Sequence, residues 1–380
     1  MSQTKGDGVS VEVTPVSGKR DLEAFIALPY DLHREDPQWI GPLRMDVRTI
    51  LSTRDNPFWE HAAAEHFLAR KDGREVGRIS AIENKLHNEV HADKVGFFGF
   101  FESIDDPAVA KALLEAAAAW LRPRGLDVMR GPASPSLNDE AGVLVDGFET
   151  PPVIMMPHNP RYYPKLIEGA GFAKAKDLYA FQNVQRDYPE RLNRAVSMLE
   201  KRYGVTVRQI DMKKFDEEIE IVKKLYNRCW EKNWGFVPMT DKEIDHLAKQ
   251  FKPFVKPDMV LFAECKGEPV GLAIGLPDLN VALKRNKSGK LFPGILKVLW
   301  AVKFADLGRA RVLILGAIPE WRGKGVDALL YRRIWINGNG HGYFWCEGGW
   351  VLEDNVAMKN GLEGIGFAVY KTYRLYDRPL

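Results

Sequence analysis

The chain contains an internal repeat, and this constrains its fold more than any other feature. Three pairs of similar segments occur in the same order, with the later member 194 or 195 residues after the earlier one. The pairs are VEVTPV (11–16) with VTVRQI (205–210), FLARKDGREVG (67–77) with LFAECKGEPVG (261–271), and GAGFAKAKDLYAF (169–181) with GIGFAVYKTYRLY (364–376). Three matches in register predict two copies of one domain. We place the copies at 8–185 and 205–380, with a linker helix at 186–204.

Composition supports two ordinary globular domains. The 380 residues are 45% hydrophobic and 28% charged, which is enough apolar material to bury two cores without covalent staples. Cys229, Cys265 and Cys346 are widely spaced and lack partners at metal-ligand spacing, so we expect reduced thiols and no metal. The N-terminus MSQTKGDGVS has no apolar core of a signal peptide, which favours a cytoplasmic location. With 54 basic and 51 acidic residues, nucleic acid is not an expected partner.

Each copy shows the same order of predicted elements. An opening strand leads into a helix, a hairpin turning at 71–73 or 266–268, an apolar strand, a second helix, a further strand and a terminal hairpin around Gly-Phe. This order predicts an α+β fold. The longest apolar stretch, 291–304, is interrupted by Pro293, Lys297 and Lys303 and is too short to cross a bilayer. It predicts either a core helix or, because Trp and Lys flank its apolar face, an interfacial segment or lid.

One turn carries a ligand-binding pattern. In ILGAIPEWRGKGVDALL (314–330) an apolar strand runs into a turn containing Gly323 and Gly325, and a helix follows directly. Such a turn leaves backbone N–H groups at the positive end of a helix, where a pyrophosphate approaches closely. Arg322 and Lys324 add positive charge. The pattern alone is also typical of a purely structural turn.

With this turn and the terminal Gly-Phe segment, the sequence resembles the GNAT superfamily of N-acyltransferases, duplicated in tandem. The resemblance implies two GNAT-like domains, each a mixed, mostly antiparallel sheet flanked by helices, and acyl-CoA as donor. The family signature of Arg or Gln, two residues, Gly, one residue, and Gly or Ala matches Arg322 and Gly325 but meets Asp327 at its last position. The implied donor site comprises Ile318, Arg322, Gly323, Lys324, Gly325, Val326 and Asn355.

The resemblance also marks what each copy lacks. The position of the family's general-acid tyrosine is occupied by Leu362 in this chain, so the role of general acid does not carry over. The first copy has IDDPAV (104–109) where the phosphate turn would be, and we expect it not to bind CoA conventionally. It has instead a long Pro- and Gly-rich insert at 131–165, typical of a binding loop. We assign acceptor binding to the polar residues Asn138, Glu140, Asn159 and Tyr162 of this insert.

Amide formation from a thioester needs a base for the amine proton and donors for the carbonyl oxygen. In the family the oxygen meets a backbone N–H of the strand before the turn, here near Ala317 or Ile318. The sequence offers Glu347, in the following strand, and His158, in the insert, as candidate catalytic bases. Both residue types also occur commonly as ion pairs or simple hydrogen-bond partners.

A narrower resemblance concerns GPASPSLNDEAG (131–142), PHNPRYYPKLIEGAGF (157–172) and NRCWEKNWGFVPMT (227–240), which are similar to the bacterial ceramide synthase group. This implies transfer of a long acyl chain from acyl-CoA to a sphingoid base at a membrane surface. Segment 291–304 and the aromatics Phe97, Phe98, Phe100, Phe101, Trp230, Trp234 and Phe236 would then face lipid chains, although aromatics at strand spacing also form cores. Two alternatives remain: an aminoacyl-tRNA-dependent tandem-GNAT transferase and a catalytically silent acyl-CoA or lipid-binding module.

Overall fold

The computed structural model describes residues 10–184, 187–304 and 307–380. The first repeat contains five helices and nine strands among these residues. Its helices are α1 (Gly18–Leu32), α2 (Arg44–Leu51), α3 (Lys85–His91), α4 (Pro107–Leu121) and α5 (Tyr163–Gly169). Its strands are β1 (Glu12–Pro15), β2 (Ala62–Lys71), β3 (Arg74–Asn84), β4 (Val95–Ser103), β5 (Val128–Gly131), β6 (Ala133–Ser134), β7 (Glu140–Ala141), β8 (Val143–Asp146) and β9 (Ala173–Asn183).

Helix α6 (Glu190–Tyr203) lies between the repeats, with Gly204 after its last residue; the linker assignment at 186–204 remains a prediction. The second repeat has helices α7 (Phe215–Trp230), α8 (Asp241–Phe251), α9 (Asn280–Leu283), α10 (Leu291–Phe304), α11 (Val326–Gly340) and α12 (Val356–Gly364). Its strands are β10 (Val205–Gln209), β11 (Val260–Cys265), β12 (Glu268–Pro277), β13 (Arg309–Ala317), β14 (Trp345–Leu352) and β15 (Ala368–Pro379). The domain boundaries at 8–185 and 205–380 remain predictions, because one sheet runs through both repeats.

Thirteen described strands form this sheet, in the order β1-β2-β3-β4-β5-β15-β9-β14-β13-β12-β11-β10, with β8 also pairing with β15. The last strands of the two repeats are exchanged. Strand β15 of the second repeat pairs with β5 of the first, and β9 of the first repeat pairs with β14 of the second. The predicted α+β class is confirmed: among the described pairings only β4–β5 and β13–β14 are parallel.

The repeated sequence segments fold as matching elements. The predicted hairpins turn at Asp72-Gly73 and Lys266-Gly267, where both residues of each turn have positive φ. The terminal Gly-Phe segments are not hairpins. Each connects the end of a short helix, α5 or α12, to a long strand. A glycine serves this sharp turn because Gly171 and Gly366 both have φ +90°.

Each repeat has its own apolar core between the sheet and its helices. In the first, the Ala- and Leu-rich face of α4 packs on β2 and β3, and in the second, α7 and α11 pack on opposite sides of β12 and its neighbours. The predicted lipid-facing residues Phe97, Phe98 and Phe101 are buried within the first repeat, where large aromatic side chains contribute strongly to core stability. The lipid-facing expectation is therefore wrong for these three residues.

The core interpretation of segment 291–304 is also wrong. Val298 packs inward, but Phe292, Leu296, Leu299 and Trp300 are exposed. The helix is kinked at Phe292, whose backbone is extended. The side chains of Lys297, Val302 and Lys303 lie outside the described part of the structure. Among the described residues, no helix is long and apolar enough to span a membrane.

Candidate functional site

The parallel strands β13 and β14 pair from Arg309 with Trp345 to Val312 with Gly348 and then part. Between them opens a cavity of about 330 Å³, which we call the splay pocket. Its wall is mainly apolar and comes from α7, β12, β13, β14 and α12. Lining side chains include Ile219, Val222, Trp230, Ile274, Leu276, Leu313, Ile314, Leu315, Trp350 and Leu362. Where the strands part, their facing backbone groups are available to a bound ligand.

Both repeats build this pocket. The first repeat contributes Leu137 and Met155 from its insert and Leu178 from the exchanged strand β9. The aromatics Trp234 and Phe236, predicted to face lipid chains, line it together with Trp230. The volume and apolar lining suit an extended hydrocarbon chain. One apolar site is thus shared between the copies.

The predicted phosphate turn lies beside this pocket. Gly323 (φ +71°) and Gly325 (φ +78°) adopt backbone conformations that favour glycine, and α11 begins directly after Gly325. The Arg322 guanidinium donates to the Cys229 carbonyl at 2.7 Å, next to Trp230 of the pocket wall. The unsatisfied N–H groups at the start of α11, with Lys324 nearby, fit a pyrophosphate. Asp327 is exposed in the first helical turn and opposes it.

Three other predicted donor-site residues have defined positions. The N–H of Ile318 donates to the Val270 carbonyl at 3.0 Å and so has no hydrogen to offer a thioester oxygen. Open backbone positions lie instead on β13 beyond Val312, within the splay pocket. Asn355 lines the pocket and caps α12, its Oδ1 accepting from the Met358 N–H at 3.1 Å. Val326, the first residue of α11, is buried.

At the corresponding position of the first repeat, a second cavity of about 130 Å³ opens where β4 and β5 part. We call it the polar cleft. It is lined by α1, by β4 near Phe100 and Glu102, and by the insert. Here α4 begins after Asp106, whose own carboxylate accepts from the Ala108 N–H at 2.9 Å. This capping fills the place that the glycine turn occupies in the second repeat.

The polar cleft has a wall of buried charged groups. Glu102 accepts from the Tyr163 hydroxyl at 2.6 Å and lies 2.7 Å from His33 Nε2 and 3.5 Å from Arg78. Burial raises the pKa of Glu102, but the His33 and Arg78 interactions outweigh it and hold that pKa below its ordinary value. Arg78 also donates to the Phe25 carbonyl at 2.6 Å. These groups form a preorganised polar wall.

The segment 137–142 separates the two cavities. Asn138, Asp139 and Ala141 line the splay pocket, whereas Glu140 and Gly142 line the polar cleft. Desolvation by the surrounding protein raises the pKa of Asp139 to about 6 and that of Glu140 to about 7. The negative charges of Asp139 and Glu102 also raise the pKa of Glu140. The Glu140 side chain nevertheless remains exposed within the cleft. Two carboxyl groups with raised pKa thus lie on opposite sides of this segment, and that of Asp139, which is partly buried, accepts from the Ser136 hydroxyl at 2.6 Å.

The other predicted acceptor and base residues of the insert are held by intramolecular bonds. His158 lines the polar cleft and pairs with Asp36 at 3.0 Å, and burial lowers its pKa. Asn159 bonds both backbone groups of Leu144, and Tyr162 donates to the Ser103 carbonyl at 2.9 Å. Asn138 donates to the Val237 carbonyl and accepts from Tyr226. The side chains of Asn159 and Tyr162 thus hold the insert in place through hydrogen bonds to the backbone.

Glu347, the other predicted base, lies beneath the splay pocket and not in its wall. Its side chain has no solvent exposure, and its Oε2 is 3.0 Å from Arg311 Nε on the adjacent strand. Burial raises its pKa to about 7. Arg311 lines the pocket and bonds the Ile154 and Gly349 carbonyls at 2.6 and 3.0 Å. Glu347 therefore serves as the counterion of this arginine.

Sequence reasoning missed Asp139 and Arg311 as site residues. Asp139 stands in the quoted insert, but no sequence signal distinguishes its orientation from that of Glu140. Arg311 interrupts the apolar run ARVLILGAI, and a charge within a buried strand is the signal that marks it. In the described residues, no group of three or more His, Cys, Asp or Glu side chains is arranged to hold a metal ion.

Comparison with known proteins gives consistent matches. No family model matches the chain. The chain is 39% identical to a bacterial ceramide synthase of Caulobacter vibrioides, covering 97% of this chain and 98% of that protein. It is 38% identical to protein YghO of Escherichia coli, covering 95% and 94%. A solved tandem GNAT protein from the clavulanic acid biosynthesis pathway superimposes with a TM-score of 0.57 over 97% and 98% of the two chains, at 14% identity.

Proposed function

Because the chain belongs to the bacterial ceramide synthase family and is a tandem-GNAT N-acyltransferase, we propose that it transfers a long acyl group from acyl-CoA to the amine of a sphingoid base. The observation that carries this proposal is the splay pocket. It is an apolar volume of about 330 Å³ at the parted strands, and Trp230 of its wall follows Cys229, whose carbonyl accepts from Arg322 of the glycine turn.

In this proposal the donor spans the second repeat. The pyrophosphate of CoA binds the N–H groups at the start of α11, with Arg322 and Lys324 as countercharges. The thioester lies where β13 and β14 part, its carbonyl oxygen facing backbone N–H groups of β13 beyond Val312. The acyl chain occupies the splay pocket, against the apolar wall formed by Trp230, Ile274 and their neighbours. Asp327 limits how closely the phosphates approach.

In this proposal the acceptor's head group binds in the polar cleft, and its amine reaches the thioester around segment 137–142, which lies between the two cavities. A sphingoid head group carries an amine and hydroxyl groups, and the cleft presents Glu140 and Glu102 with hydrogen-bonding neighbours. We assign Glu140 to binding this head group and Asp139, on the splay-pocket side, to accepting the amine proton. A carboxyl group with a pKa of about 6 is ionised at neutral pH and suits this role.

The reaction follows from these positions. The neutral amine attacks the thioester carbon, the C–N bond forms, and Asp139 takes the proton released from nitrogen. The C–S bond then breaks, and CoA leaves as a thiolate. Because a thiol has a pKa near ~8.5, this leaving group needs no dedicated acid. That agrees with Leu362, a buried apolar side chain, at the position of the family's acidic Tyr.

A lipid acceptor also fixes the cellular setting of the proposal. The chain would work in the cytoplasm, peripherally on the inner membrane, with a small-molecule or lipid amine as its partner. Acyl-CoA serves as a donor substrate, and neither a metal nor a nucleic acid is part of the proposed chemistry.

The test combines ligand binding with product detection. Thermal unfolding is measured with CoA, acetyl-CoA and palmitoyl-CoA, each below its micelle range, because a ligand at 100 times its Kd adds about 2.7 kcal/mol of stability. We expect palmitoyl-CoA to raise the midpoint well beyond acetyl-CoA, and mass spectrometry to detect the amide after addition of sphinganine. No shift with any thioester would overturn the donor assignment and favour an aminoacyl-tRNA donor.

A matched variant tests the phosphate turn. Arg322→Glu should raise KM for acyl-CoA but leave KM for the corresponding acyl-pantetheine unchanged, because the latter lacks the pyrophosphate. Lys111→Glu, an equal change of charge on an exposed lysine of α4 in the first repeat, is the control. An equal loss with both thioesters would place the effect outside phosphate binding.

A further inference from the structure

Helix α10 presents large apolar side chains that are exposed to solvent. Phe292 is 66% exposed, Leu296 58%, Trp300 56% and Leu299 47%. Among the described side chains of α10, that of Val298 anchors the helix in a small cluster with Ala282 and Leu307. Four large apolar side chains on one short helix exceed the isolated exposed residues that are normal on protein surfaces.

Positive charge borders this face. Lys284, Arg285, Lys287 and Lys290 are all exposed in the segment that connects α9 to α10. That segment carries no acidic residue. Its bend is held by Asn286, which donates to the Lys290 carbonyl at 2.9 Å. Apolar side chains including Trp, next to a cluster of lysine and arginine, are the composition that binds an anionic lipid interface.

The basic segment is fixed to the first repeat beside the polar cleft. The Arg44 N–H and Nε donate to the carbonyls of Gly289 and Ser288, at 2.8 and 3.0 Å. The Arg44 guanidinium also stacks on Tyr30, a cleft-lining residue that packs against Gly289. At the other end of the segment, Asn280 donates to the carbonyl of Pro152, which also lines the cleft.

We propose that this surface, formed by Phe292, Leu296, Leu299, Trp300 and the four basic residues, docks the protein on an anionic lipid bilayer. We call it the docking face. Helix α10 is too short to span a bilayer, so it lies in the interface with its apolar side chains among the acyl chains. The bilayer then meets the protein next to the polar cleft, so an amphiphilic amine reaches the cleft without crossing water.

Vesicle binding tests the docking face directly. The full chain is sedimented with vesicles of phosphatidylglycerol mixed with phosphatidylcholine, and with vesicles of phosphatidylcholine alone. We expect binding to the anionic vesicles that weakens with salt. The variant Leu296→Glu/Leu299→Glu should bind at least about tenfold more weakly. Neutralising Lys284, Arg285 and Lys287 with Gln should weaken binding about fivefold per charge.

The matched control is Ile336→Glu/Val90→Glu, which places the same two charges on similarly exposed apolar residues of α11 and α3. It should bind vesicles like the unaltered chain. Unaltered binding by the Leu296→Glu/Leu299→Glu variant, or an equal loss with the control variant, would overturn the proposal. Thermal unfolding of each variant identifies any that fail to fold, and in that case the Gln variants decide.

The docking face and the proposed function fail separately. Acylation of a water-soluble amine without vesicles should be unchanged in the Leu296→Glu/Leu299→Glu variant, because neither leucine lines either cavity. Vesicle binding without any acylation would overturn the proposed function and leave the docking face intact. Acylation without vesicle binding would overturn the docking face and leave the proposed function intact.

Discussion

Arg311 and Glu347 face each other across the two parallel strands whose parting forms the splay pocket. Arg311 Nε lies 3.0 Å from Glu347 Oε2, and the side chains are 3% and 0% exposed. The same guanidinium bonds the Ile154 carbonyl of the first-repeat insert and the Gly349 carbonyl of the pocket wall. This pair therefore joins the donor strands to the loop that carries Asp139 and Glu140.

At pH 8, above the Glu347 pKa of about 7, Glu347→Gln should destabilise the protein by about 3–5 kcal/mol, because it leaves the buried Arg311 charge without its counterion. Urea unfolding measures the loss. Glu149→Gln, which removes one carboxylate of the exposed pair with Arg161, is the control and should leave the free energy of unfolding unchanged. Full stability with complete loss of turnover would instead identify Glu347 as a base.

Asp139→Asn should lower kcat by about 10²–10⁴-fold while palmitoyl-CoA binding is retained, because the amine proton loses its acceptor. A base must be ionised, so the rate of the unaltered enzyme should rise with pH. Since the pKa of Asp139 is raised to about 6 and that of Glu140 to about 7, the increase in rate should occur between about pH 6 and pH 7. The two carboxyl groups interact, so the apparent values belong to the pair.

Glu140→Gln provides the contrast. It should raise KM for the amine more than it lowers kcat, because Glu140 lines the acceptor side. Both quantities come from steady-state rates at saturating palmitoyl-CoA. If Glu140→Gln abolishes kcat and Asp139→Asn does not, the assigned roles are reversed.

Filling the splay pocket should change the preferred acyl length. Ile274→Phe adds volume to its wall and should lower kcat/KM for palmitoyl-CoA about tenfold relative to acetyl-CoA. Competition between the two thioesters measures this ratio. Val369→Phe, a change of similar size at an exposed position, should leave the ratio unaltered. An unchanged ratio in Ile274→Phe would place the acyl chain elsewhere.

Gly325→Ala tests the phosphate turn and its packing together. An alanine there adopts an unfavourable positive φ, costing about 1–2 kcal/mol, and its Cβ also meets the Leu199 side chain of α6. Gly267→Ala has a similar φ but open space around it, so it reports the backbone cost alone. We expect Gly325→Ala to be the less stable variant in urea unfolding, and Leu199→Ala to relieve the difference. Equal stability of the two alanine variants would contradict the prediction that the Leu199 side chain clashes with an alanine at position 325.

Much of the fold was readable from the sequence because it rests on local patterns. The hairpins at 71–73 and 266–268 and the helices α7 and α11 follow from turn residues and apolar periodicity, which neighbours along the chain determine. The glycine turn at 323–325 was predicted for the same reason: positive φ and a following helix are local properties. The tandem repeat needed only comparison of the chain with itself.

The orientation of individual side chains was not readable in the same way. Asp139 and Glu140 are adjacent, and which of them faces the splay pocket depends on how the insert packs against β13 and β15. Segment 291–304 has the composition of a core helix, but the other elements fill the cores and leave four of its apolar side chains exposed.

By itself, the sequence determined the duplicated α+β fold, its repeating elements and the glycine turn, because each depends on contacts between near neighbours. Only the tertiary structure decided that the terminal strands β9 and β15 are exchanged, that Arg311 neutralises Glu347, and that one apolar pocket draws on both repeats. These are contacts between residues far apart in the chain. Which distant strand edges and buried charges pair is settled only when the whole sheet assembles, since every unpaired edge or charge carries a desolvation cost.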